Sequence, residues 1–130
     1  MNEKMSANTN SLNWFEISVQ DISRAKTFYE TIFQIEMAGM EMMGMKYAMF
    51  PSDPESGKVN GGLAQSQMHT PSATGTLIYL NGNPDLQNVL DRVEKAGGKI
   101  SMPKTSIGEN GFMAFLTDTE GNTIGLHSNT

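Results

Sequence analysis

A strand, then an amphipathic helix, then further short strands: this order of elements occurs twice along the chain, about 60 residues apart. In residues 14–19, WFEISV, Phe15, Ile17 and Val19 fall on one face while Trp14, Glu16 and Ser18 fall on the other, the alternation of a half-buried strand. Asp21 follows as a helix N-cap. Ile22, Ala25, Phe28, Tyr29, Ile32 and Phe33 then recur at helical spacing, which predicts a helix over 22–33. Strands are expected near 35–41, 45–50 and 61–66, with PSDPESGKVNGG as the loop before the last of them. In the second half, Thr76–Leu80 reads as a strand. Asn83-Pro84 reads as a helix opening, with asparagine as cap and proline in the first turn. Leu86, Val89, Leu90 and Val93 form the apolar stripe, and Gly97-Gly98 the stop. Strands near 99–102, 111–117 and 123–128 complete the repeat, the last two joined by DTEGN with glycine at a positive φ.

Each half thus reads strand–helix–strand–strand–strand, and the predicted fold class is α+β. Two βαβββ modules (about 11–70 and 74–130) form one domain after a tail over 1–10. Their eight strands make a cupped, partly open barrel with a helix on each outer flank. A chain of 130 residues has room for one such domain and its core. A ferredoxin-like regulatory or monooxygenase-type dimer is disfavoured by the three consecutive strands after one helix.

Composition narrows the function classes. Without cysteine there is no disulfide framework, thiolate site or cysteine nucleophile. Nine basic residues against fourteen acidic ones, with the basic ones scattered, argue against nucleic acid as a partner. No run approaches the ~20 apolar residues of a membrane helix, and the start of the chain has no apolar signal region, so a cytoplasmic protein without membrane contact is expected. There is no phosphate-cradling glycine motif, and no serine has the G-x-S-x-G context of a hydrolase. Eleven methionines stand out. Met37, Met40, Met42, Met43, Met45 and Met49 crowd into thirteen residues, either as soft core filling or as a deformable apolar wall for a small ligand.

The segments WFEISVQDISRAKTFYETIFQ and FLTDTEGNTIGLHS, with VLDRVEKAGGKI between them, resemble the vicinal-oxygen-chelate superfamily of glyoxalase I, extradiol dioxygenases and bleomycin-resistance proteins. The likeness runs from about Ser11 to Ser128 and is nearest to small bacterial proteins related to lactoylglutathione lyase. It implies the two-module fold just described, small-molecule handling in the cup, and ready formation of homodimers. It also implies a divalent ion held by histidine and glutamate from the first and last strands of each half. Here those positions carry Trp14, Thr76 and Gly125, and in the strand near Gly61–Gln65 the only donor is Gln65. First-row divalent ions favour imidazole or carboxylate donors, so no residue is assigned as a metal ligand and no cofactor is firmly expected.

Two residues point chemistry at the same place. Glu16 lies two after Trp14, and His127 two after Gly125, so each shares a strand face with a family position. Glu16, raised in pKa by an apolar wall, is the candidate general base and His127 the candidate acid or substrate orienter. The alternative is a shifted, weakly held divalent metal on Glu16 and His127 with Gln65. Trp14, Gln65, Thr76 and Met49 are the candidate ligand contacts. His69 reads as a solvated loop residue, Phe112, Phe115 and Tyr79 as core or interface, and Asp118 and Glu120 as turn chemistry. Two functions fit. One is a lyase or isomerase acting on a small carbonyl or oxygen-rich metabolite. The other is a non-catalytic sequestration protein of the bleomycin-resistance type.

Overall fold

The structure is a computed structural model that describes residues 3–130; Met1 and Asn2, part of the expected tail, lie outside the described residues. The first module comprises β1 (Trp14–Ser18), α1 (Ile22–Phe33), β2 (Ala38–Met42), β3 (Met45–Met49) and β4 (Asn60–Gln65). The second comprises β5 (Tyr79–Asn81), α2 (Leu86–Val93), β6 (Lys99–Ser106), β7 (Phe112–Thr117) and β8 (Thr123–Ser128). Two four-stranded sheets result, in the orders β1-β4-β3-β2 and β5-β8-β7-β6. In each, the first strand pairs in parallel with the last, Glu16 opposite Gly62 and Tyr79 opposite Gly125. The architecture is the expected α+β arrangement of two βαβββ modules, and the strands do not close into a barrel.

The two helices are built to one plan. Ala25, Phe28, Tyr29 and Ile32 are the buried residues of α1, and Leu86, Val89, Leu90 and Val93 those of α2, both at i, i+3, i+4, i+7. Asp21 accepts from the Arg24 N–H to cap α1. The first N–H of each helix is taken by the end of its module's last strand. Gln65 Oε1 accepts from Ile22 N at 2.8 Å, and Ser128 Oγ accepts from Leu86 N at 3.0 Å. The expected cap of α2 is corrected: Asp85 takes that role through Gln87 N. Asn83 is committed elsewhere, accepting from Asn129 N and donating to Asn81 Oδ1. β5 is also shorter than expected, beginning at Tyr79, although Ile78 O still accepts from Gly125 N at 2.8 Å.

The helices sit on the same side of their sheets as one continuous core holding residues of both modules. They also touch each other, Arg92 Nη1 donating to Ile32 O at 2.9 Å. Phe112 packs against that core as expected. Tyr79 and Phe115 lie on the face away from the helices, their rings meeting at a tilt with centroids 5.9 Å apart, and Tyr79 is 48% exposed.

Asp118 and Glu120 do more than shape a turn. Asp118 is buried, accepting from Tyr29 Oη at 2.7 Å and from both the N–H and the amide of Asn122. Asn122 in turn donates to Ser18 O at 2.8 Å. Glu120 accepts from Gln20 N, Asp21 N, Thr119 Oγ1 and both arms of the Arg24 guanidinium. The β7–β8 turn is thereby tied to the chain between β1 and α1. This tie fixes the seam between the modules.

Candidate functional site

On β1, Trp14, Glu16 and Ser18 point away from α1, because Phe15, Ile17 and Val19 are drawn to the core. The cross-strand register carries Glu16 to Gly62 and then to Met49 in one row. Met40 and Met42 of β2 lie on the same face, which gives it a thioether-rich surface beside the carboxylate.

Glu16 is held on both oxygens. The Trp14 indole N–H donates to Oε2 at 3.2 Å, and His69 Nε2 meets Oε1 at 2.7 Å. On the far side of the ring, His69 Nδ1 meets Ser66 Oγ at 2.6 Å. A carboxylate only accepts, so the neutral imidazole carries its proton on Nε2 and Nδ1 accepts the Ser66 hydroxyl proton. The Met68 N–H donates to the same hydroxyl oxygen, which orients it. Trp14, Glu16, His69 and Ser66 thus form one hydrogen-bonded chain. The reading of His69 as solvated is corrected: its side chain is 14% exposed and bonded at both nitrogens.

Trp14, Glu16 and Thr76 line a cavity of about 340 Å³ at the seam, closed on the other side by Thr123 and Ile124 of the second module. His69 and Ser66 line a neighbouring cavity of about 450 Å³, and Thr70 borders both. Gln65 borders the second cavity, but its side-chain oxygen is spent on the α1 N-terminus. His127 lies away from Glu16. It shares a sheet row with Asn81 and Met113, and its Nε2 donates to Asn110 O at 2.6 Å. The two residues line no common cavity among those found in the described residues. The site therefore pairs Glu16 with His69. The local signal for this was S-x-x-H, Ser66 to His69, whose spacing lets a serine bond a histidine within one turn.

The family metal positions do not fit a divalent ion. Gly62-Leu63-Ala64-Gln65 in β4 matches Gly125-Leu126-His127-Ser128 in β8, so the two last-strand positions are Gly62 and Gly125. A Cβ at Gly125 would lie 2.6 Å from the Tyr79 ring, and one at Gly62 would lie 2.6 Å from Ala48 O. Neither backbone has room for a carboxylate without rearrangement. The Trp14 indole is a donor only, which leaves the Thr76 hydroxyl as the sole side-chain oxygen of the set. Glu16, His127 and Gln65, the alternative ligand set, point to three different places. Among the described residues no group of three His, Cys, Asp or Glu is disposed to hold an ion.

A family model described as "Glyoxalase/Bleomycin resistance protein/Dioxygenase superfamily" matches residues 11–126. The chain belongs to this superfamily. Proteins named "Putative glyoxylase CFP32" from Mycobacterium bovis and Mycobacterium tuberculosis are 28% identical over 118 residues, 88% of this chain and 44% of theirs. The chain thus spans less than half the length of these curated relatives. Among solved structures, an E144Q mutant of glyoxalase I from Zea mays matches with a TM-score of 0.70 at 20% identity, covering 90% of this chain and 46% of that one. The antibiotic-binding protein TnmS3 from Streptomyces sp. CB03234 matches with a TM-score of 0.64 at 20% identity, covering 96% and 100%. At such identities these likenesses establish the fold. No helix among the described residues is long and apolar enough to cross a membrane.

Proposed function

We propose that this is a glyoxalase-like small-molecule-binding protein whose seam cavity takes a small carbonyl or oxygen-rich compound, and whose Glu16–His69 pair moves a proton on it without a metal ion. The observation that carries the reading is the Glu16 carboxylate, bonded to Trp14 and His69 and bordering the 340 Å³ cavity. Such a carboxylate is oriented as a general base. His69, aligned by Ser66, supplies and recovers the proton at Nε2, so a C–H acid beside a carbonyl could be deprotonated and reprotonated elsewhere, as lyase or isomerase chemistry requires. Trp14 offers the ligand a stacking face, and Met49 and Thr76 offer apolar and hydroxyl contacts. The partner is a small molecule rather than nucleic acid or a membrane; a cytoplasmic location and a homodimer belong to the same proposal.

Trp14 is the only tryptophan, so its emission reports occupancy of the cavity directly. Titration of small carbonyl compounds against the wild type and Glu16→Gln should give dissociation constants within a few-fold, while turnover falls by about 10²–10⁴ in the variant. Equal turnover would remove Glu16 as base. The second reading, sequestration, is favoured by the methionine-rich face and by the metal positions that cannot hold an ion. It predicts that a bound compound is released chemically unchanged by wild type and variant alike.

A further inference from the structure

We infer that Ser66 is an activated nucleophile and that the 450 Å³ cavity beside it is an acyl-transfer site selective for esters carrying a negative charge. This goes beyond the proton transfer proposed above, since it uses the other nitrogen of His69 and the neighbouring cavity.

The geometry is that of a hydroxyl–imidazole–carboxylate relay. Ser66 Oγ lies 2.6 Å from His69 Nδ1, and His69 Nε2 lies 2.7 Å from Glu16 Oε1. Both spans are at the short end for hydrogen bonds. The imidazole is largely shielded, and the carboxylate that orients it is itself fixed by the Trp14 indole. A relay of this kind is recognised by roles and distances, not by sequence context, so the missing G-x-S-x-G motif does not count against it. The Met68 N–H occupies one lone pair of Ser66 Oγ and leaves the other for attack. Ser66 and His69 face the 450 Å³ cavity together with Gln20, Gln65 and Lys46. With His69 neutral, Lys46 is the one charged side chain in that lining, so the cavity favours an acyl group bearing a carboxylate.

The chemistry balances with water as co-reactant. Ser66 Oγ attacks the ester carbonyl, its proton passes to His69 Nδ1, and the imidazolium is held by Glu16. Collapse of the tetrahedral adduct expels the alcohol, which takes that proton from His69. Water, deprotonated by the same nitrogen, then attacks the acyl carbon; the Ser66 O–C bond breaks, Ser66 Oγ takes that proton back from His69, and the acid leaves.

The test is covalent labelling of the whole chain with an alkyl fluorophosphonate, read by intact mass and peptide mapping. Attack forms the Ser66 O–P bond and expels fluoride, the serine proton passing through His69 to water. One adduct per chain at Ser66 is expected, labelled at least tenfold more slowly in His69→Gln and several-fold more slowly in Glu16→Gln. For the substrate class, p-nitrophenyl hemiglutarate should be cleaved at least fivefold faster than p-nitrophenyl butyrate, and Lys46→Ala should abolish the preference. No adduct at Ser66 in the wild type would overturn the proposal, whatever the variants do. An adduct whose rate ignores both His69 and Glu16 would overturn it too, and lack of charge preference would remove the anionic substrate class. Occupancy of the seam cavity is read separately through Trp14 emission, so failure of this inference and failure of the proposed function are distinct results.

Discussion

Substituting Glu120 by glutamine tests what holds the two modules in register. Burial alone would push the Glu120 carboxyl up; the Arg24 guanidinium, the Thr119 hydroxyl and the N–H groups of Gln20 and Asp21 outweigh it and hold the pKa at about 2, against an ordinary 4.5. At about 1.36 kcal/mol per pKa unit this corresponds to about 3 kcal/mol of preference for the charged form in the folded state. Arg24 is half exposed, so solvent screening reduces the part felt as stability to about 1–2 kcal/mol. A carboxyl whose folded pKa lies below its unfolded one stabilises above the unfolded value and loses that stabilisation as pH falls through the folded value. Urea unfolding of wild type and Glu120→Gln should therefore differ by about 1–2 kcal/mol at pH 7. The difference should shrink below pH 4.5 and close as pH falls through 2. A gap of the same size at pH 7 and pH 2 would refute the electrostatic account and leave only packing of the turn.

Three further substitutions probe the same framework. Gln65→Ala and Ser128→Ala each remove the acceptor for a first-turn helix N–H and should cost about 1 kcal/mol, adding within about 0.5 kcal/mol in the double variant because they serve different modules. A neutral Gln65→Ala, measured by the same urea unfolding, would return that residue to a ligand-binding role. The Tyr29 hydroxyl is held well above its usual value, by burial first and by Asp118 second. Alkaline titration of phenolate absorbance should therefore show fewer than the chain's three tyrosines ionising until the protein unfolds. Tyr29→Phe should lower stability by about 1–3 kcal/mol, because the buried Asp118 loses a donor and keeps only Asn122 and its turn. Three tyrosines titrating in the folded state would contradict the buried Tyr29–Asp118 bond.

Much of the architecture was legible because it rests on local periodicity. The stripe from Ile22 to Phe33 and the strand at 123–128 are set by which residues must face the core, and the structure places both where the pattern does. The misreadings share another cause: partners far apart in sequence. Asn83 looks like a cap until Asn129 and Asn81 claim its side chain. Nothing near Gln65 in sequence shows that its oxygen serves the start of α1, 43 residues earlier, while the residue also borders a cavity. His69, in a Ser/Thr/Pro loop, looks solvated because the carboxylate that orders it stands 53 residues away on β1. Even in the local β7–β8 turn, Glu120 is spent mostly on α1 and the chain before it, and Asp118 gives one of its bonds to Tyr29 of α1.

The two repeats have diverged where chemistry resides and agree where the helices are held. Gln65 and Ser128 do the same work for α1 and α2 with different side chains, and Gly62 and Gly125 are both too crowded for a larger side chain without rearrangement, the one by Ala48 O and the other by the Tyr79 ring. Opposite those glycines the modules part company. The first presents Glu16 with its indole and imidazole partners; the second lays the Tyr79 ring over Gly125 and against Phe115. One sheet thus offers a titratable chain beside a methionine-rich face, and the other an aromatic surface with His127 tied back to Asn110 O. Under the proposed function, ligand contact draws on both sheets and proton transfer on the Glu16–His69 pair of the first. Substitutions at Tyr79 or Phe115 should therefore alter which compounds bind, whereas substitutions at Glu16 or His69 should alter what happens to them.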